Sequence, residues 1–268
     1  MKPVAFDYVA ATTVEEAVNA LREPGAKVLA GGQSLVPLMN FRLSRPSRLV
    51  DINGVASMAH IEVRERELIL GALVRHQQLV EDPEIRRSLP VLSRAAQHIG
   101  HWAIRTRGTL GGSVAHADPA AELPALLVAL GATIAVVGPE GTRELTAEAF
   151  FEGFYTTALA PSELVTQVKL PLPQGAVGFK EVVRRPGDFA LAGAYVERLG
   201  SGGAVTWFGF GDRPRRFSVR EWPSDPEDRR HVWVELVRNV PVEERDQYKY
   251  ELAVAVAEES YRDAGGEE

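Results

Sequence analysis

The chain has 268 residues, 45% hydrophobic and 25% charged, with a formal net charge of −6 and no cysteine. Such a length buries a substantial core in one large domain or two ordinary ones, and the composition is that of a soluble globular protein. The acidic balance argues against general nucleic-acid binding, and the missing cysteines exclude disulfides, thiolate-held iron–sulfur clusters, thiolate zinc sites and a cysteine nucleophile.

Thr13 to Glu16 fits a capping box, and VEEAVNALRE carries its apolar residues at helical spacing until Pro24-Gly25 ends the helix. KVLA (27–30) reads as a short buried strand running into Gly31, SRLVDI (47–52) as a second, and HIEVRERELILGA (60–72) as a hairpin. A helix is expected from Asp82-Pro83 to Ile99, with Pro90 either kinking it or starting a new one. PAAELPALLVALG is a helix opened by Pro119 and closed by Gly131, and TIAVVG is a strand. No apolar run approaches the roughly 20 residues that span a bilayer. The opening MKPVAFDYVAATT lacks the apolar stretch of a leader, so a cytoplasmic location is expected.

The texture changes near Pro171 to Gly175, a candidate linker. GFKEVVRR, FALAGAYVERL and AVTWFGFGD read as three strands of an antiparallel sheet. Two helices follow, DPEDRRHVWVELVRNV and VEERDQYKYELAVAVAEESYRDA, and residues 264–268 are expected to fray. The fold class is therefore α+β: a first domain over 1–173 and a smaller α+β domain over 174–268.

Two glycine pairs stand out: Gly31-Gly32 in VLAGGQSLVPLM, and Gly111-Gly112 in RGTLGGSVAHADP. Neither is a common nucleotide loop, since the first lacks the G-x-G-x-x-G spacing and the second lacks a Walker lysine. Glycine permits φ > 0 and close approach, so successive N–H groups can form a concave donor site for phosphate oxygens. Ser34, Thr109 and Ser113 add hydroxyl donors. Two such turns suit a diphosphate held from both sides; the competing reading is a pair of ordinary tight turns.

AGGQSLVPLM and RGTLGGSVAHADPAAELP, in this order and spacing, resemble the FAD-binding subunit of the molybdenum hydroxylases. That group includes the medium subunit of carbon monoxide dehydrogenase and the flavin domain of xanthine dehydrogenase. The likeness continues through ELVTQVKLPLP, FKEVVRRPGDFALAGAYV and FGFGDRPRR, covering about residues 1–215. Beyond that the chain departs from the family: RRFSVREWPSDPEDRRHVW is unfamiliar in composition, and YKYELAVAVAEESYRDA matches loosely.

The resemblance implies a two-subdomain FAD-binding domain of the vanillyl-alcohol oxidase type, followed by a smaller α+β domain with a three-stranded antiparallel sheet. It implies FAD as cofactor. Val28, Leu29, Ala30, Gly31, Gly32, Gln33, Ser34 and Leu35 would form the first pyrophosphate loop. Thr109, Leu110, Gly111, Gly112 and Ser113 would form the second. Glu122 matches an acidic FAD contact, Val165 and Lys180 match positions at the flavin end, and Ile99 matches an apolar contact. Phe189 stands where related subunits place a tyrosine over the isoalloxazine ring.

Each residue has a plainer alternative. Glu122 also suits a helix N-terminus, Lys180 an exposed edge strand, and Phe189 the core of an alternating strand. His98, His101 and His116 lack metal-ligand spacing, and no nucleophile elbow is present. The resemblance implies partners as well: a small [2Fe–2S] subunit, a large molybdopterin subunit, and an acceptor such as NAD, a quinone or oxygen. A freestanding FAD-dependent oxidase or reductase of the same fold is the alternative activity, and a module that has lost its flavin is a third reading.

Overall fold

The computed structural model describes residues 2–242 and 246–265. It opens with β1 (Asp7–Ala10), α1 (Val14–Ala20), β2 (Ala26–Leu29), α2 (Leu35–Asn40) and β3 (Arg48–Asp51). The capping box forms as its spacing predicts. Glu16 N–H donates to Thr13 Oγ1 at 3.1 Å, and the Glu16 carboxylate takes the Thr12 and Thr13 N–H groups at 2.7 and 3.3 Å. The three strands pair in parallel in the order β1-β3-β2, so Leu29 and Asp51 end side by side at one sheet edge.

A second sheet follows, from β4 (Ile61–Arg64) and β5 (Glu67–Gly71). Between these strands and their later partners run α3 (His76–Glu81), α4 (Pro83–Ser88), α5 (Pro90–His98), α6 (Trp102–Arg105), α7 (Leu110–His116) and α8 (Glu122–Ala129). Next come β6 (Thr133–Gly138), β7 (Gly141–Thr146), α9 (Ala147–Phe150), the small hairpin β8 (Phe151–Gly153) and β9 (Thr156–Thr157), and β10 (Leu164–Pro171). β10 sits in the middle of an antiparallel sheet ordered β4-β5-β10-β6-β7, which is why its alternate residues Val165, Val168 and Leu170 are buried.

Pro90 starts a new helix rather than kinking a long one. Its missing N–H costs nothing at a first helical position, and the backbone turns at Leu89. Several helices went unpredicted, among them α3, α6, α7 and α9. The second glycine pair lies inside α7, where the sequence suggested a loop, because Thr109 caps it and the pair packs into the core. α3 is a six-residue helix with only local signals.

The C-terminal unit has four strands, not three: β11 (Ala176–Val182), β12 (Ala192–Leu199), β13 (Gly202–Phe208) and β14 (Arg215–Val219), in sequential antiparallel order. β14 lies in a run that reads as solvated charge. It becomes a strand because Phe217 and Val219 turn to the apolar core while Arg216 reaches across β13 to bond Glu197 of β12 at 2.8 Å. The strand expected over 189–199 begins only at Ala192, so Phe189 lies in the β11–β12 connection.

This sheet is covered on both faces. Ala192, Ala194, Val196 and Trp207 meet α10 (Pro226–Val237) and α11 (Gln247–Asp263), including Trp233, Ala253 and Ala257. α11 begins later than the sequence suggested; residues 243–245 and 266–268 lie outside the described residues. The other face carries Phe179, Tyr195 and Phe208, stacked with centroids 4.8 and 5.8 Å apart, and it joins the core of the first unit. Burying each ring contributes roughly 1.5–3 kcal/mol to that junction. Polar bonds reinforce it: Arg216 Nε to Ala129 O at 3.1 Å, Gly209 N to Pro119 O at 2.9 Å, and Arg94 to Asp263 at 2.7 Å.

Candidate functional site

The first glycine turn leaves β2 at Leu29, crosses the carboxyl edge of the parallel sheet, and enters α2. Ligands bind at that edge in open parallel sheets because the strand ends diverge there into a crevice. Gly32 has φ +73°, a conformation that a β-carbon resists. Gln33 Nε2 donates to Gly31 O at 3.0 Å and fixes the turn. Among the described residues, the N–H groups of Gly31, Gly32, Gln33, Ser34 and Leu35 find no acceptor in the chain. Ser34 heads α2 without making a side-chain cap, so its hydroxyl is also uncommitted.

A cavity of about 400 Å³ opens over this turn, lined by Gly31, Gly32, Gln33, Asp51, Asn53 and Arg107 among others. Beneath it runs a polar brace. Tyr8 OH donates to Asp51 at 2.6 Å, Asn53 Nδ2 donates to Ala30 O at 2.9 Å and to Asp51 Oδ1 at 2.6 Å, and Arg75 Nη2 donates to Asn53 Oδ1 at 2.7 Å. Arg75 Nη1 also donates to the Arg107 carbonyl. Bonds from Tyr8 and Asn53 hold the Asp51 carboxyl below its usual range against the desolvation that would raise it.

The second glycine pair does a different job. Leu110 N–H donates to Val74 O at 2.9 Å, Gly111 N–H to Ala72 O at 2.8 Å, Gly112 N–H to Thr109 Oγ1 at 3.1 Å, and Ser113 N–H to Thr109 O at 3.1 Å. All four donors are spent inside the protein. The expectation of a second nest of backbone donors is therefore corrected: Gly111 is buried, and a β-carbon on it would stand 2.5 Å from Ala72 Cβ. Here glycine permits close packing rather than donor convergence. His76 secures the same turn, with Nε2 3.0 Å from both Thr109 O and Ser113 Oγ. Burial drives its pKa down to about 4, so the ring is neutral.

The two turns nevertheless meet. A β-carbon on Gly31 would collide with the Arg107 carbonyl and lie 2.8 Å from Gly108 Cα. Val28 and Leu29 support the first turn from β2. Val165 is buried on β10 beside the bulge at Thr166, whose carbonyl takes the Ala72 N–H at 2.9 Å, directly behind Gly111.

The other expected residues gather at the junction of the two units. Ile99 closes α5; its carbonyl and that of Gly100 each accept from Arg105 at 3.2 Å. Gly187, in the β11–β12 connection, packs so tightly on Gly100 that a β-carbon would stand 2.9 Å from its carbonyl. Phe189, from the same connection, is 62% exposed, which overturns the alternative of a core aromatic. Glu122 is 5% exposed at the first position of α8. Burial, and then the neighbouring Glu181 charge, push its carboxyl up to about 8. Lys180 is not brought to this group: it is exposed and alternates with Phe179 and Glu181 onto the α11 side of β11.

Sequence reasoning missed Asp51, Asn53, Arg75, His76 and Arg107. Asp51 and Asn53 had a usable signal, polar residues just where a buried strand ends. Arg107 adjoins the second glycine motif, while Arg75 and His76 reach the turns only through tertiary packing.

Residues 4–173 match the family described as FAD binding domain in molybdopterin dehydrogenase. The chain belongs to that family. It is 48% identical over 198 residues to the 6-hydroxypseudooxynicotine dehydrogenase complex subunit alpha of Paenarthrobacter nicotinovorans, covering 72% of this chain and 67% of that one. Its fold is similar to that of quinoline 2-oxidoreductase from Pseudomonas putida 86, with TM-score 0.90, 32% identity and 99% of each chain covered. It is likewise similar to carbon monoxide dehydrogenase from Hydrogenophaga pseudoflava, with TM-score 0.92, 28% identity and 99% of each chain covered. This flavoprotein subunit is an FAD-binding oxidoreductase component of the molybdenum hydroxylase type. The site fits the cofactor: a glycine turn with five uncommitted N–H groups, beside an exposed arginine, complements a dianionic diphosphate. No helix among the described residues is long and apolar enough to cross a membrane.

Proposed function

We propose that this flavoprotein is the electron-transfer subunit of a molybdopterin-dependent hydroxylase or dehydrogenase complex, working beside a small [2Fe–2S] subunit and a large molybdopterin subunit. The observation that carries the reading is the Gly31–Leu35 turn, with its uncommitted donors over the cavity, in a chain without cysteine. When bound, FAD supplies the redox chemistry, accepting electrons relayed from the partner's clusters and passing them to NAD, a quinone or oxygen.

The residues of the chain position it. Gly31, Gly32, Gln33 and Ser34 hold the diphosphate with their N–H groups, supported by Val28, Leu29, Ala30 and Leu35, and Arg107 adds the compensating charge. Thr109 to Ser113 form a rigid second wall. Ile99, Glu122, Val165 and Phe189 serve the flavin end, with Phe189 offering an aromatic face from an exposed loop; Lys180 serves only as an outlying charge. Residues 1–173 form the FAD domain and 174–268 the smaller domain. No residue here acts as general acid or base on an organic substrate.

Purification from the native host with metal analysis tests the complex. Iron and molybdenum should co-purify in constant ratio with FAD, and the isolated FAD-loaded chain should hydroxylate no aldehyde, purine or N-heterocycle. Turnover of an organic substrate by that metal-free preparation would instead establish a freestanding oxidase.

A further inference from the structure

The cavity over the first glycine turn carries an acid that a phosphate site alone does not explain. Asp51 ends β3 and lines that cavity together with Gly31, Gly32, Gln33, Asn53 and Arg107. A diphosphate brings negative charge, and a carboxylate in the same cavity repels it. Burial would raise the Asp51 carboxyl, but the bonds from Tyr8 and Asn53 outweigh burial and hold it below its usual range. The acid is therefore charged at neutral pH.

Most of its acceptor sites are filled from within the chain. Oδ1 accepts from Asn53 N–H at 2.8 Å and from Asn53 Nδ2 at 2.6 Å, and Oδ2 accepts from Tyr8 OH at 2.6 Å. A carboxylate offers about four lone-pair sites, so one stays open, on Oδ2. Among the described residues Tyr8 and Asn53 are its only bonding partners, since Arg75 is spent on Asn53 and on the Arg107 carbonyl. Whatever part of a ligand meets Asp51 has to be a donor.

The chain path narrows the choice of donor. β2, the Gly31-Gly32 turn, α2 and β3 form a strand–turn–helix–strand unit with its strands parallel, and Leu29 pairs with Asp51 across it. Adjacent strands lie about 4.8 Å apart, so an acid at the end of β3 stands roughly one strand spacing to the side of the glycine turn. In dinucleotide-binding units of this construction, an acid beyond the glycine turn takes a sugar hydroxyl. The first O–H donors on either side of the diphosphate in FAD are likewise sugar hydroxyls, ribose on one side and ribityl on the other.

We propose that Asp51 is the sugar-hydroxyl acceptor of this cavity, its Oδ2 taking a hydroxyl of FAD beside the diphosphate while Tyr8 and Asn53 hold the carboxylate in place. This rests on the reading that FAD binds the Gly31–Leu35 turn. Asp51 then sets specificity: it favours a nucleotide that carries its sugar and opposes a bare anion.

The test sets sugar against phosphate in the flavin-free full chain. Fluorescence titration compares FAD with analogues lacking each ribose and ribityl hydroxyl in turn. At least one analogue should bind about tenfold or more weakly, as for a lost bond to a charged acceptor. Loss with a ribose analogue assigns Asp51 to the adenosine side, and loss with a ribityl analogue assigns it to the flavin side; either supports the proposal. In the near-isosteric Asp51→Asn, that penalty should largely vanish. Inorganic pyrophosphate should compete better in this variant, because the opposing charge is gone, so the ratio of FAD to pyrophosphate affinity should fall about tenfold or more. A merely structural role for Asp51 would leave that ratio unchanged. Equal affinity of the wild-type chain for FAD and every analogue overturns the proposal even if Asp51→Asn fails to fold, and so does an unchanged ratio in the folded variant. Both results leave the FAD reading standing, whereas failure of the folded wild-type chain to bind FAD overturns both.

Discussion

Gly31 and Arg107 stand backbone against backbone, so close that any side chain on Gly31 would strike the Arg107 carbonyl. Arg75 donates to that same carbonyl. A Gly31→Ala change must therefore part the two turns or move the Arg107 backbone, at a cost of roughly 1–3 kcal/mol. The expected outcome is a folded protein with sharply reduced FAD content, measured after denaturation and chromatography. Full retention of FAD would show that the contact is dispensable.

Gly111→Val should fail differently. The new side chain meets Ala72 in the core rather than a ligand, and the bond from Gly111 N–H to Ala72 O would break. The fold itself should suffer, seen as insolubility or a large fall in Tm, with FAD loss as a consequence. A valine variant that melts normally yet lacks FAD would revive direct phosphate contact by this turn.

Arg107→Gln separates charge from packing, because the carbonyl that meets Gly31 remains. The side chain is exposed, so Tm should change little. FAD affinity should fall by about tenfold or more, as when a charge-assisted hydrogen bond of about 1.5–3 kcal/mol is lost. Its dependence on ionic strength should weaken as well. Equal binding by both proteins, measured by fluorescence titration at two salt concentrations, would remove Arg107 from the site.

Stability of the flavin-free protein should vary with pH in two opposed stretches. His76 falls from the usual 6.5 to about 4 on folding, so between those values the unfolded chain binds more protons and stability rises with pH. Glu122 rises from 4.5 to about 8, so across that range the folded chain holds the extra proton and stability falls as pH rises. Above pH 6.5 the histidine contribution is complete and Glu122 acts alone. Denaturant unfolding at pH 6.5 and 8 should therefore lose on the order of 2 kcal/mol, and Glu122→Gln should abolish that loss. A wild-type protein equally stable at both values would mean that Glu122 is already ionised at pH 6.5.

Local chemistry made much of this molecule legible. Thr13 and Glu16 marked a helix start, Gly31-Gly32 marked a turn at a strand end, and the alternation in AGAYVERL marked a strand. Each signal acts between residues a few positions apart, where spacing alone sets geometry. The sequence by itself therefore determined the order of most elements, the first glycine turn at a strand end, and the lack of any thiolate chemistry. Long-range contact decided the rest. Gly-Gly pairs at 31 and 111 look alike as strings, yet the first leaves five donors free while the second spends its donors on Thr109, Ala72 and Val74. Phe189 looks like a strand residue and is left in an open connection, whereas Glu181 has a side chain only 2% exposed beside His98. Whether a donor is satisfied or a carboxyl desolvated depends on which distant segment packs against it, and only the tertiary structure fixes that partner.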